Sequence, residues 1–211
     1  VITINDIKKH YNKRLINKID AIIIDEASML RPDIIDAIDL TLQLTKGNNR
    51  PFGGIQIILI GDLYQLPPVI TSDEQDVMNK LYPDGQFFFN SNVINKIELV
   101  KFELTHVYRQ NDKELISLLD KARNATLNDN DLRIFNERVV DDDFVIPDEM
   151  LTLSTNNHKV NAINSINLKN INSKEYSYEA EVDGKYSGNP VDKNLKLKIG
   201  AQVMLVKNGT N

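Results

Sequence analysis

Two adjacent carboxylates, Asp25 and Glu26, directly follow the apolar run Ala21-Ile22-Ile23-Ile24. A short run rich in β-branched residues has the character of a strand buried on both faces, as in parallel α/β sheets. In open sheets of that class ligands sit at the carboxyl ends of the strands, where these two side chains emerge. A carboxylate there can ligate Mg²⁺ through its oxygens, and its neighbour can orient or deprotonate a water. The same pair would also arise simply because carboxylates end a strand at solvent, so the rest of the chain decides between the two.

The elements around the pair favour chemistry. Pro32 suits the first turn of a helix, Asp33 complements the positive end of its dipole, and Ile34, Ile35, Ile38 and Leu42 form one apolar stripe. After a loop from Gly47 to Gly54, Ile55 to Ile60 reads as a second buried strand. It ends in Gly61-Asp62-Leu63-Tyr64-Gln65-Leu66-Pro67-Pro68-Val69. Two strands joined by a helix make a parallel unit, and the right-handed crossover sets their carboxyl ends side by side. Glu26 and Gln65 are then expected to face one ligand.

Composition narrows the class. With 211 residues, 41% hydrophobic and 26% charged, the chain has the makeup of a soluble globular protein of one large or two small domains. It contains no cysteine, which excludes disulfides, thiolate metal sites and a cysteine nucleophile. His10, His106 and His158 are too scattered for metal-ligand spacing. No apolar run approaches the roughly 18 residues of a membrane span, and no signal-peptide layout opens the chain, so an intracellular location and no membrane partner are expected. The net charge of −5 does not advertise nucleic-acid binding, although a local phosphate-binding groove is compatible with it.

Further along, an amphipathic helix is expected over about 4–17, with Ile7, Tyr11 and Leu15 on one face. A helix from Asp73 to Tyr82 leads to a Pro83-Asp84-Gly85 turn. Phe87, Phe88 and Phe89 could stack on bases, but three consecutive aromatics read better as a core strand. A short helix carries Val93, Ile94 and Ile97, and a strand runs from Glu98 to Leu104. Helices follow at about 113–124 and 129–139, the second ending before the acidic run at 141–143, read as a solvated loop. A strand is expected at 150–154. It is followed by a helix to Asn170 with Val160, Ile163 and Ile166 to Leu168 on its buried face, and by a β-ribbon over 174–206.

Asp25-Glu26-Ala27-Ser28-Met29, followed by a helix, a strand and Gly61 to Val69, resembles motifs II and III of the Pif (petite integration frequency) family of DNA helicases. That family belongs with the RecD-like helicases of superfamily 1. Leu104-Thr105-His106-Val107-Tyr108-Arg109-Gln110 resembles its motif IV, and Leu195 to Leu205 resembles a segment of the second motor lobe. The resemblance covers nearly the whole chain. It implies an α/β RecA-like P-loop NTPase fold, a parallel sheet with flanking helices. Residues 1–100 would form part of the first lobe, with the Walker-B element and motif III. Residues 101–211 would begin the second lobe and lead into a β-rich insertion.

The resemblance also implies roles. Asp25 would hold Mg²⁺, Glu26 would activate the hydrolytic water, Gln65 would sense the γ-phosphate of ATP, and Arg109 would be an arginine finger. Such parts suit phosphoryl transfer, which is catalysed by positioning and charge neutralisation. The less favoured alternatives are that Gln65 simply satisfies the Gly61 turn and that Arg109 pairs with a surface carboxylate such as Asp112. Pro67, Pro68 and Val69, in the loop linking the nucleotide site to DNA, and Thr155, Asn157 and His158, at a strand-to-helix junction, are candidate single-strand contacts. A rigid turn explains the first group as well, and helix capping explains Thr155 or Asn156.

The implied partners are ATP, Mg²⁺, single-stranded DNA and a DNA duplex or fork. The implied activity is 5′→3′ translocation and unwinding, with roles in DNA repair, recombination and telomere maintenance, in the cytoplasm or the nucleus. The phosphate-loop pattern G-x-x-x-x-G-K-[ST] does not occur, and no glycine precedes Gly47. The chain is therefore expected to be an excerpt of a longer protein, monomeric and a poor enzyme by itself. Two other classes stay open: a metal-dependent nuclease using Asp25, Glu26 and Asp62, and a catalytically silent RecA-like binding module.

Overall fold

The computed structural model describes residues 1–8, 12–141, 143–147, 150–181 and 192–205. Its contacts divide the chain into two compact units, Val1–Ile134 and Phe135–Asn211. Among the described residues no helix is long and apolar enough to cross a membrane.

The first unit is built on strands β1 (Ala21–Ile24) and β2 (Gln56–Leu59), joined through helix α2 (Pro32–Lys46). The strands pair in parallel, with Ala21 opposite Gln56 and Ile24 opposite Leu59. Ile60 N–H to Ile24 O (2.9 Å) and Ala27 N–H to Ile60 O (2.8 Å) carry the pairing past the last strand residues. Helix α2 starts at Pro32 and stops at Gly47, whose φ of +74° lets its N–H return to Gln43 O at 2.8 Å. Ile35 and Leu42 of the expected stripe are buried. They join Ile16, Phe52, Ile55, Val93 and Ile94 in the core, against which Ile22, Ile24, Ile57 and Leu59 pack.

The strands were expected to be buried on both faces, and they are not. Only the α2 side is covered; on the other, Ile23 is 63% exposed, and Ile58 and Ile60 are also exposed. Period-2 geometry sends alternate side chains to opposite faces, and one helix layer covers one face.

The polar face of α2 organises the surrounding loops. Asp33 pairs with Arg31 at 2.7 Å, with its side chain wholly buried. Asp36 accepts from Tyr82 Oη (3.0 Å), Asn92 Nδ2 (2.7 Å) and the Asn92 and Val93 N–H groups (3.0 and 2.9 Å). Asp39 accepts from Gln43 Nε2 and from Phe52 N–H, the latter at 2.5 Å. Backbone donors of loops that would otherwise be buried unpaired are thereby satisfied. Burial and the negative Asp36 both push the Tyr82 phenol well above its ordinary range.

Several local expectations change. The single helix over 4–17 is replaced by a 3₁₀ turn, Ile4–Asp6, and a short α1, Lys13–Ile16, with Tyr11 and His10 outside the described residues. Asp6 binds Thr3 N–H and Oγ1 at 2.8 Å each, and Asn12 caps Leu15 N–H, so side chains compete with helix continuation. The expected 73–82 helix is α3, Gln75–Leu81. Phe88–Asn90 is a 3₁₀ turn rather than a strand, although Phe88 and Phe89 do pack on the core and Phe87 stacks on Phe89 at 5.3 Å.

The expected strand at 98–104 does not form among the described residues, and Val100, Phe102 and Leu104 are 79–88% exposed. Propensity alone cannot make a strand where no neighbour supplies the ladder. Helices α4 (Lys113–Arg123) and α5 (Asp129–Asn136) follow, the latter shorter than expected. Asp112 caps α4 through Glu114 and Leu115 N–H. Lys121 bonds Asp131 at 2.7 Å and holds its carboxyl below the usual range.

In the second unit, residues 150–154 form no strand and are exposed. Helix α6 (Asn157–Asn170) buries none of its residues; Val160, Ile163 and Leu168 are half-covered, while Ile166 is exposed. The ribbon is present as strands β3 (Glu175–Glu179) and β4 (Asn194–Lys198), antiparallel, with Tyr176 opposite Leu197. Lys198 Nζ reaches the carbonyls of Lys169 and Ile171 (3.2 and 2.9 Å) and so neutralises the end of α6. Asp183 and Gly184, within the span expected to form the ribbon, lie outside the described residues.

Candidate functional site

The two expected motifs meet at the carboxyl ends of β1 and β2. Asp25 leaves β1 with Oδ1 accepting the Glu26 N–H at 2.9 Å. Its exposed carboxylate keeps further lone pairs available, the donor set a hard cation uses when phosphates and waters complete its shell. Glu26 occupies the left-handed region, φ +54° and ψ +38°. A non-glycine residue held there costs on the order of 1–2 kcal/mol. Strain of this kind concentrates where function needs a side chain aimed in a set direction. Glu26 is exposed, while the next two residues, Ala27 and Ser28, are each only 1% exposed. Ser28 Oγ has no hydrogen-bond partner among the described residues.

Gly61 explains how the second motif comes so close. A Cβ at Gly61 would lie 2.9 Å from Ser28 N and 3.1 Å from Ala27 N, so only glycine lets the two turns stack. Asp62 then gathers the loop. Its Oδ1 accepts from Tyr64 N–H at 3.0 Å and from Arg123 Nη2 at 3.1 Å, and its Oδ2 accepts from Gln65 Nε2 at 3.3 Å. Burial alone would raise its carboxyl, but the Tyr64, Gln65 and Arg123 donors outweigh burial and hold it below the usual carboxylate range.

The structure thus brings Asp25 and Glu26 beside the loop that carries Gln65, whose amide is turned onto Asp62. Arg109 lies in the exposed irregular segment before α4 and forms no hydrogen bond or ion pair with the described residues; it is not paired with Asp112. Of the three loop candidates, Pro67 and Val69 are exposed and Pro68 is buried. Thr155, Asn157 and His158 belong to the second unit and are exposed, and the cap of α6 is Asn156, which accepts from His158 N–H at 2.8 Å. The sequence singles out no role for Arg123 and marks Gly61 only as the start of a turn, not as a point of close packing. A basic residue ending a helix carries no signal of a partner 61 positions away, whereas a glycine between a buried strand and a polar loop could have been flagged.

The family model of PIF1-like helicases matches residues 2–139. The chain belongs to the Pif1-like helicase family. ATP-dependent DNA helicase PIF1 of Rattus norvegicus is 35% identical over 196 residues, covering 89% of this chain and 29% of the relative. Among solved structures, Bacteroides Pif1 bound to ssDNA superposes with a TM-score of 0.80 at 33% identity, over 93% of this chain and 47% of that one. Bacteroides Pif1 in complex with ADP-AlF3 and ssDNA does so with a TM-score of 0.76, at 33% identity and the same two coverages. The chain therefore spans about three-tenths of the curated Pif1 relative. Its fold is the α/β RecA-like fold of Pif1 helicase domains, with part of the first lobe present.

Among the described residues no three His, Cys, Asp or Glu side chains converge as a metal cluster. The Asp62 oxygens are instead occupied by Tyr64, Gln65 and Arg123 donors. The carboxylate trio that a nuclease would need is not assembled.

Proposed function

We propose that these residues form the hydrolytic edge of the nucleotide site, and part of the DNA path, of an ATP-dependent DNA helicase that moves 5′→3′ on single strands and opens duplexes or forks. The observation that carries this reading is the acidic pair held at the ends of two parallel strands, with Glu26 in a strained backbone and Gly61 packing the Gln65 loop against it. Membership of the Pif1-like family supports it, as does the Bacteroides relative seen with ADP-AlF3 and ssDNA.

In this reading Asp25 holds Mg²⁺, which neutralises phosphate charge when bound. Glu26 orients and deprotonates the attacking water. The Gln65 amide keeps one Nε2 N–H on Asp62 and offers the other to the terminal phosphate, and the uncommitted guanidinium of Arg109 reaches the same oxygens. Residues 1–100 act as first-lobe material and 101–211 as the beginning of the second. Pro67 and Val69, with Thr155, Asn157 and His158, face the single strand, and Pro68 stiffens the loop from within.

The test is single-strand-stimulated ATP hydrolysis in the complete protein that carries these residues, run beside strand displacement on 5′- and 3′-tailed duplexes. Glu26→Gln should keep nucleotide binding and lose about 10²- to 10⁴-fold in turnover. Arg109→Ala should lose about 10³- to 10⁵-fold with an unchanged melting temperature. Near-normal hydrolysis in Glu26→Gln refutes the assignment, and unwinding of only the 3′-tailed duplex refutes the polarity.

A further inference from the structure

Arg123, the last residue of α4, reaches back 61 positions to the loop after β2. Its Nη2 bonds Asp62 Oδ1 at 3.1 Å, and its guanidinium carbon stands 5.0 Å from the centroid of the Tyr64 ring. The same carboxylate takes the Tyr64 N–H and the Gln65 side-chain amide, and the Asp62 carbonyl takes the Gln65 N–H at 3.0 Å. Asp62 is therefore a hub with Arg123 on one side and Gln65 on the other. Helix α4 is 11 residues long, about 16 Å at 1.5 Å per residue. Arg109 lies just ahead of its Asp112 cap, and Arg123 closes its far end.

We propose that Arg123 is a positioning residue: it fixes Asp62, and through Asp62 the Gln65 amide, so that the placement of the helix following Arg109 sets the placement of Gln65. The proposal rests on the reading of Gln65 and Arg109 as nucleotide-facing residues. A bare surface ion pair is a poor account of the contact. Arg123 is 44% exposed, and exposed pairs contribute little to stability, yet this one converges with two other donors on one carboxylate and lies over an aromatic face. Lysine would keep the charge and lose the planar stacking surface.

The experiment compares wild type, Arg123→Ala, Arg123→Lys and a control, Lys121→Gln, which removes the neighbouring α4 pair to Asp131. Amide exchange at Tyr64 and Gln65 and single-strand-stimulated ATP turnover are measured on the same preparations of the complete protein. Arg123→Ala should speed exchange at both amides and lower kcat about 10- to 100-fold, with the KM for ATP and single-strand affinity little changed. Arg123→Lys should recover part of kcat, and Lys121→Gln should match wild type. Unchanged exchange in Arg123→Ala overturns the latch. Faster exchange with unchanged kcat overturns its bearing on Gln65. Absence of hydrolysis in wild type would instead defeat the helicase reading and the catalytic half of this proposal, while the exchange data would still report whether Arg123 holds the loop.

Discussion

Replacing Gly61 with alanine should damage the junction of the two motifs more than its surface position suggests. The new Cβ would meet Ser28 N at 2.9 Å and Ala27 N at 3.1 Å, and both contacts are main chain, which cannot swing aside as a side-chain tip can. Ala27 and Ser28 are almost fully buried, so the strain must open the gap between the two turns. The bond from Ala27 N–H to Ile60 O, 2.8 Å, spans that gap. Overpacking costs about 1–3 kcal/mol and a weakened buried hydrogen bond about 1 more, or roughly 2–4 kcal/mol together. At about 2–4 °C per kcal/mol for a chain of this size, the melting temperature should fall by roughly 4–16 °C.

Gly47 is the matching control. It has φ +74° and nothing within 4 Å of a built Cβ, so alanine there meets only backbone strain. Asparagine, which tolerates the left-handed region, should restore most of the stability at Gly47 and none at Gly61. Thermal melts of the four single variants decide the matter. A Gly61→Ala protein melting within about 1 °C of wild type, or an Asn rescue at Gly61, would refute the contact as the reason for glycine.

Two other predictions come from the same region and from the start of α2. Glu26→Gly removes the left-handed penalty, about 1–2 kcal/mol, against a glycine entropy cost of about 0.5–1 kcal/mol. The variant should therefore melt at or slightly above wild type while losing ATP turnover, and a drop of several degrees would show that the Glu26 side chain supports the fold. Asp33→Asn should cost about 3 kcal/mol, the low end for breaking a buried pair because Arg31 keeps Glu74 at 2.8 Å. For Asp33, burial pushes the carboxyl up, but the Arg31 and Ile2 N–H bonds prevail and the folded-state value is lowered. A lowered carboxyl stabilises the fold above its ordinary value near about 3.8 and loses that contribution as pH falls through the folded value. Wild-type stability attributable to Asp33 should be flat from neutral pH down to about 5 and decline below about 4, and that acid-side decline should be smaller in Asp33→Asn.

Asp25 and Glu26 at the end of one strand, Gln65 after another, and the helix between them were legible from the sequence, because each depends on local rules. A β-branched run makes a strand, proline and glycine bound a helix, and a crossover aligns the strand ends. The same rules placed α4, α6 and the β3–β4 ribbon. They failed at 98–104 and 150–154, whose strand-like residues find no partner ladder among the described residues, and on the outer face of β1 and β2. Pairing and cover belong to neighbours in space, which hydrophobic pattern does not name.

Three features were decided by tertiary structure alone. From the sequence Asp33 has a place at the start of α2 and Asp36 and Asp39 have none, yet all three serve as acceptors for backbone N–H groups outside the helix, because a helix surrounded by turns must satisfy their donors. Glu26 takes a left-handed backbone that no residue preference would assign it, since the close stacking of Gly61 on Ala27 and Ser28 leaves the chain little other route. Arg123 reaches Asp62 because folding returns the end of α4 to the loop after β2, and a contact across 61 positions is set by where rigid elements lie rather than by the residues along the way.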